Sequence, residues 1–373
     1  MSNAVFDCAI VGGGLAGLTL AIQLANAGRK VVLFEKQTYP FHKVCGEYIS
    51  MESYDFLQRI GIQLNTMQLP LINEVKISAP NGDFLSRKLD LGGFGISRFT
   101  LDNALYKLAI EKGVTVFEGT TVVDVIFEND LFTVKTPTET YHANIVCGAY
   151  GKRSVLDKKS TLKKQKSKNY IGVKYHVSLD FPADRIELHN FKDGYCGVSK
   201  VDDNRCCICY LTSAKNLNDN ENDIKKMEQN VLMKNPFLHK YFSEATFLYK
   251  QALTISQITF GKKASVANHI LLLGDASGTI APLCGNGMSM AMRASFSAFL
   301  LLENYFNNNY TRTQLENLYQ QEWNHLFANR IKIGNTLQHF FGKELLTNVA
   351  IATLKHTPKL TDKLISLTHG KKF

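Results

Sequence analysis

The sequence predicts an α/β protein in which a mostly parallel, helix-covered sheet is interrupted by a mostly antiparallel one and followed by a helical C-terminal region. Three observations predict this. Two short apolar runs rich in β-formers, Val5–Val11 and Val31–Phe34, flank a segment with helical apolar spacing at 15–27, which is the strand–helix–strand order of a buried parallel sheet. Alternating segments joined by turn residues fill the middle of the chain. A third apolar run at 270–273 leads into a second glycine cluster and a long helical pattern.

Between the first run and its helix stand Gly12, Gly13, Gly14, Ala16 and Gly17. They fit G-x-G-x-x-G, in which the first glycine allows a tight turn, the second a close approach to a pyrophosphate and the third close helix–strand packing. The helix N-terminus then offers free N–H groups and the positive end of a dipole to the phosphates. Gly28 is placed to end the helix. Glu35, followed by Lys36, closes the second strand, where a carboxylate reaches the hydroxyls of an adenosine ribose. Downstream, Gly274 and Asp275 follow the strand at 270–273, where a short carboxylate suits a ribityl hydroxyl. Pro282, Gly285, Asn286, Gly287 and Met288 lead into a helix running through Leu302. That helix N-terminus suits the electron-rich edge of a flavin. The two clusters together predict FAD, held by both ends of the chain.

The middle of the chain reads as a hairpin of 74–79 and 84–88 through Asn81-Gly82, then strands at 170–179, 186–191, 206–212 and 246–256, with a helix at 223–233. A strand at 145–149 and a helix at 101–112 belong to the first unit. Pro358 is set to begin a last amphipathic helix with Thr357 as its cap. The expected division is an FAD-binding domain of 1–70, 97–168 and 264–300, a substrate-binding domain of 71–96 and 169–263, and a helical region of 301–373.

The 373 residues are 45% hydrophobic and 20% charged, ordinary values for a globular protein. The eight cysteines form no disulfide or metal framework. In Cys206-Cys207-Ile208-Cys209 the second and fourth positions of a strand share one face, and no metal site is expected. Free thiols fit a reducing cytoplasm. No stretch is long and apolar enough to span a bilayer. The net charge of +10 gathers at Lys158, Lys159, Lys163, Lys164, Lys166 and Lys168 and at the C-terminal Lys355, Lys359, Lys363, Lys371 and Lys372. This reads as a solvated face or as contact with an anionic inner-membrane surface or an acidic carrier protein. No nucleic-acid motif accompanies the charge.

These motifs, in this order, resemble the FAD-dependent superfamily of the para-hydroxybenzoate hydroxylase fold, which contains aromatic monooxygenases, flavin halogenases and geranylgeranyl reductases. The resemblance covers most of residues 1–300. It implies a Rossmann-like FAD-binding domain of the glutathione reductase type with an inserted substrate sheet. Arg98, in Ser97-Arg98-Phe99, resembles the family arginine near the flavin and its phosphates. Lys43-Val44-Cys45-Gly46-Glu47 is similar to the Lys-x-Cys-Gly motif of the geranylgeranyl reductase branch, which passes beside the flavin. The resemblance therefore implies that Cys45 and Gly46 contact FAD, with Cys45 either a small turn residue or a proton donor. His42, Glu47, Tyr48 and Tyr150 lie in or near segments that approach flavin in the family.

The chain departs from the family in three places. Tyr150 stands where an Asp commonly bridges the flavin and nicotinamide sites. Gly194-Tyr195-Cys196-Gly197 lacks the tryptophan of the reductases' Gly-Tyr-x-Trp, and no Trp-x-Trp-x-Ile-Pro of the halogenases occurs. The sequence leaves three functions open. The first is a monooxygenase, with NAD(P)H as donor, that hydroxylates or epoxidises an apolar, aromatic, polyketide-like or lipid molecule. The second is a C=C reductase acting on a prenyl lipid, and the third a flavoprotein without turnover.

Overall fold

The computed structural model describes residues 5–152, 154–156, 169–258, 260–281, 285–340, 343–367 and 369–373. Arg153, the lysines at 158–168, Pro282 and Cys284 lie outside the described residues.

The first sheet runs in the order Val266–Ala267, Ile270–Leu272, Thr140–Gly148, Val5–Val11, Val31–Phe34, Thr115–Phe117. Val5–Val11 pairs in parallel with Val31–Phe34 on one side and with Thr140–Gly148 on the other. That central place explains its apolar composition, since from Cys8 onward neither face meets water. The first helix, Leu15–Asn26, packs on the long helix Gly287–Phe306. Thr19 and Ser295 share a hydrogen bond of 2.7 Å, Gln23 Nε2 donates to Ser295 Oγ at 3.0 Å, and Arg29 pairs with Glu303 at 2.9 Å. The N-terminal helix and the segment at 287–306 are thereby fastened together beside the first turn.

The second sheet is antiparallel except where Arg185–Phe191 lies parallel to Leu71–Ser78. Its order is Thr246–Phe247, Tyr170–Ser178, Cys206–Ser213, Gly194–Lys200, Arg185–Phe191, Leu71–Ser78, Phe84–Gly95, Tyr48–Ser50. Asp202 joins the two units. It accepts from the Ser97 amide and from Thr100 Oγ1 at 2.6 Å, at the start of the helix Arg98–Glu111.

Several elements differ from the sequence-based expectations. The helix placed at 101–112 starts three residues earlier, because Ser97 Oγ accepts from the Thr100 amide and caps it. The strand placed at 246–256 divides into Thr246–Phe247 and Leu253–Ile258, both paired to Tyr170–Ser178. The chain between them leaves the ladder and brings Tyr249 Oη to His176. Gly194–Lys200 is a strand that its glycines obscured. The hairpin Asp124–Glu128 and Leu131–Lys135 and the helix Pro236–Glu244 were not anticipated. The last helix does begin at Pro358, but the Thr357 hydroxyl donates back to Thr353 O at 3.1 Å instead of capping it. Among the described residues no helix is long and apolar enough to cross a membrane.

Candidate functional site

The glycines of the first turn do three different things. Gly12 has φ +109°, and a Cβ there would enter the Ala149 carbonyl. A Cβ on Gly17 would enter the Gly12 carbonyl, so this position brings helix and strand together. A Cβ on Gly14 would meet only Lys43 Nζ at 3.7 Å and Arg98 Nη2 at 3.8 Å. Gly14 is also the N-cap of its helix and supplies no side chain to the free amides behind it. Bare backbone, helix dipole and two cations converge on one point, a cradle that would suit a pyrophosphate. The Gly13 amide donates to Glu35 Oε2 at 2.8 Å and the Gln37 amide to Oε1 at 3.0 Å, which fixes Glu35 at the strand end with lone pairs to spare.

The cations are held in place. Arg98 forks onto Asp102 through Nε at 2.6 Å and Nη2 at 2.7 Å, and Lys43 Nζ adds a third bond at 3.0 Å. Burial pushes the Asp102 carboxyl up, but Arg98 and Lys43 outweigh it and hold it below the usual carboxylate range. One carboxylate against two cations leaves the cradle positive.

The cradle opens into a cavity of about 1230 Å³. Gly12, Gly14, Ala16, Glu35, Lys36, Cys45, Gly46, Arg98, Gly274, Asp275, Gly285, Gly287 and Met288 line it. Gly13, Gly17 and Asn286 do not line it; Gly13 acts through Glu35 and Gly17 through helix–strand packing, and Pro282 lies outside the described residues. Gly274 and Gly285 have φ of +58° and +66°, and the second gives the turn into the helix Gly287–Phe306. Cys45 Sγ lies 3.5 Å from Met288 Sδ, which joins the 43–47 loop to that helix N-terminus. Beyond the cradle the cavity runs over the second sheet. There Val75, Ile77, Leu188 and Ile255 form an apolar floor, and Ile351 and Leu364 of the C-terminal helices close the far end.

Under the 43–47 loop lies a buried polar group that the sequence reading did not assemble. Lys174 and His176 occupy one face of their strand, and the antiparallel register sets Cys209 and Cys207 beside them. Glu47, at φ +56° and fully buried, turns its carboxylate down onto this face. Oε1 accepts from Lys174 Nζ and from the Arg98 amide at 2.7 Å; Oε2 bonds His176 Nε2 at 2.5 Å. Lys174 Nζ also donates to Lys43 O at 3.2 Å. Burial raises the Glu47 carboxyl, but the His176 bond and the Lys174 charge outweigh it and leave it lowered.

From Glu47 a chain of bonds leads outward. His176 Nδ1 meets Tyr249 Oη at 3.2 Å, and Tyr249 Oη meets His42 Nε2 at 3.1 Å. The His42 ring stacks on Phe99 and forms part of the cavity wall. Burial, with Lys174 and His176 nearby, pushes its imidazole below the usual range, so it is neutral at pH 7. These bonds connect Glu47 to the cavity wall without a break. The sequence signal was a lysine and a histidine at alternate positions of a strand otherwise suited to a core. Glu47, His176 and Cys207 also bring metal-ligand atoms within 4.8 Å of one another. The Lys174 ammonium already bonds the carboxylate, and its charge opposes a second cation there, so no metal is assigned.

Comparison with known proteins fits this geometry. The family described as FAD binding domain matches residues 6–326. The chain belongs to that family, a superfamily of FAD-dependent oxidoreductases that includes flavoprotein hydroxylases and halogenases. Conditioned medium factor receptor 1 of Dictyostelium discoideum is 24% identical, covering 94% of this chain and 74% of its own. Digeranylgeranylglycerophospholipid reductase of Sulfolobus acidocaldarius is 23% identical over 80% of this chain and 69% of its own. The flavin-dependent brominase Bmp2 superposes with a TM-score of 0.82 at 15% identity, covering 98% and 93% of the two chains. PqsL of Pseudomonas aeruginosa, in complex with 2-aminobenzoylacetate, gives 0.75 at 14%, covering 92% and 98%. At these identities the two structures speak for the fold alone.

Proposed function

We propose that the protein is an FAD-dependent monooxygenase whose substrate has an ionisable aromatic head and a long apolar tail. The observation that carries this reading is the continuous cavity, with a positive cradle at one end and an apolar floor running to the C-terminal helices. Gly12, Gly14, Arg98 and Lys43 would hold the pyrophosphate, Glu35 the adenosine ribose, and Asp275 with the Gly287 helix N-terminus the ribityl chain and flavin edge. Bound FAD, reduced by NAD(P)H, supplies two electrons to oxygen; one oxygen atom enters the substrate and the other leaves as water. The protein's own part is to orient the head, exclude water along the floor and take up the head's proton. Neutral His42 suits that last task, with Tyr249, His176 and Glu47 behind it.

A second reading, reduction of a C=C bond in a prenyl lipid, is favoured by the Cys45 thiol on the cavity wall. The digeranylgeranyl lipid in the name of the Sulfolobus relative is a substrate of that kind.

The substrate class is tested by titrating the FAD-loaded protein with 4-alkylphenols of increasing chain length, followed by flavin absorbance. Each methylene that reaches the floor is expected to tighten binding by about threefold to fourfold, from about 0.8 kcal/mol per buried CH₂. Affinity independent of chain length would overturn the proposal.

A further inference from the structure

The helix Glu344–Lys355 is apolar on two sides, and Pro358–Ser366 beside it is amphipathic. Inward, Ile351, Leu354, Leu364 and Ile365 close the cavity. Outward, Leu345, Leu346 and Val349 on the first helix and Leu360 on the second are exposed, Leu345 by 81% and Val349 by 66%. A helix apolar on both faces with one of them bare marks a contact surface. The charge around it is mostly positive. Residues 343–373 carry six lysines and two acidic residues, Glu344 and Asp362. Lys343, Lys359 and Lys363, close to the leucines along the chain, and Lys371 are exposed, while Lys355 and Lys372 pair with Asp83 and Asp55 of the body.

We propose that this helix pair docks the protein on an anionic lipid bilayer, with the outward leucines in the acyl–headgroup boundary and the lysines on the anionic headgroups. Charge complementarity selects this occupant. A second copy meeting the first across a two-fold axis would set the same lysines against one another. The docking gives the cavity a reason to end here. One layer of helix separates its apolar far end from the outside, so a greasy substrate would pass from bilayer to floor without crossing water.

The purpose rests on the apolar-substrate reading, but docking needs no turnover, and the two fail separately. The experiment is co-sedimentation of the full chain, loaded with FAD, with vesicles of phosphatidylglycerol and phosphatidylcholine and with vesicles of phosphatidylcholine alone. Binding is expected only to the anionic vesicles and is expected to fall as salt rises. Lys359→Gln with Lys363→Gln is expected to weaken it about thirtyfold. Leu345→Ser with Val349→Ser is expected to abolish sedimentation while bound FAD, the control for folding, stays stoichiometric. Three results would overturn the proposal. One is no binding to anionic vesicles. The second is equal, salt-insensitive binding to phosphatidylcholine. The third is absence of vesicle binding together with a dimer in light scattering, or a complex with an acidic acyl carrier protein, that Leu345→Ser removes.

Discussion

A Cβ on Gly14 would reach only the tips of Lys43 and Arg98, whereas one on Gly17 would enter the Gly12 carbonyl. The two glycines therefore separate cofactor binding from folding. Gly14→Val is expected to fold, with a thermal midpoint near the parent's, and to lose FAD, read as the ratio of flavin to protein absorbance. Gly17→Val is expected to lose the fold. Stoichiometric FAD in Gly14→Val would refute the cradle. Glu47 makes a different case. Its charge is the counterpart of a fully buried Lys174, and Glu47→Gln leaves that ammonium uncompensated. The expected cost is about 3 kcal/mol or more by denaturant unfolding, partly recovered by adding Lys174→Met. The glycines were legible in the sequence because their spacing is local. Glu47 was visible only as part of a motif, because its partner His176 is 129 residues away and strand register alone brings them together.

At the scale of elements, alternation in the second sheet assigns two tasks to one strand. In Arg185–Phe191, Ile186 and Leu188 face the cavity while Glu187 and His189 face the helix Pro236–Glu244. Glu187 there accepts from Lys76 and His189 at 3.0 Å and from Tyr241 Oη at 2.5 Å. Burial raises its carboxyl, but the His189, Tyr241 and Lys76 bonds outweigh it and bring it from the usual 4.5 to about 2. A folded-state value below the unfolded one means stability that is present above pH 4.5 and lost as pH falls toward 2. Glu187→Gln is therefore expected to cost about 3 kcal/mol at pH 7. The deficit should shrink through that window, checked by urea unfolding at a series of pH values; a deficit constant with pH would contradict it. Such alternation was legible in Tyr170–Ser178, Arg185–Phe191 and Cys206–Ser213, each placed within a residue at either end. The strand Gly194–Lys200 was not, because Gly194 and Gly197 leave no side chain to alternate. The break near Tyr249 was also hidden, since it serves a partner on the neighbouring strand.

In the whole molecule the glycine turns at 12–17 and 274–287 meet along one cavity, and the inserted sheet carries it from there to the C-terminal helices. The sequence announced the first part through two glycine clusters in order. It could not announce the cavity, whose walls come from both units and from helices more than 300 residues beyond the cradle. The central proposal is that the flavin site and the apolar floor serve a single oxygen-inserting reaction. The direct test is a single turnover of the reduced, FAD-loaded protein with isotopically labelled oxygen. It is run separately with a long-chain alkylphenol and with a polyisoprenoid, followed by mass spectrometry. The account expects one labelled oxygen atom in the alkylphenol and an unchanged polyisoprenoid. A polyisoprenoid that gains two hydrogens and no oxygen, beside an unchanged alkylphenol, would contradict it.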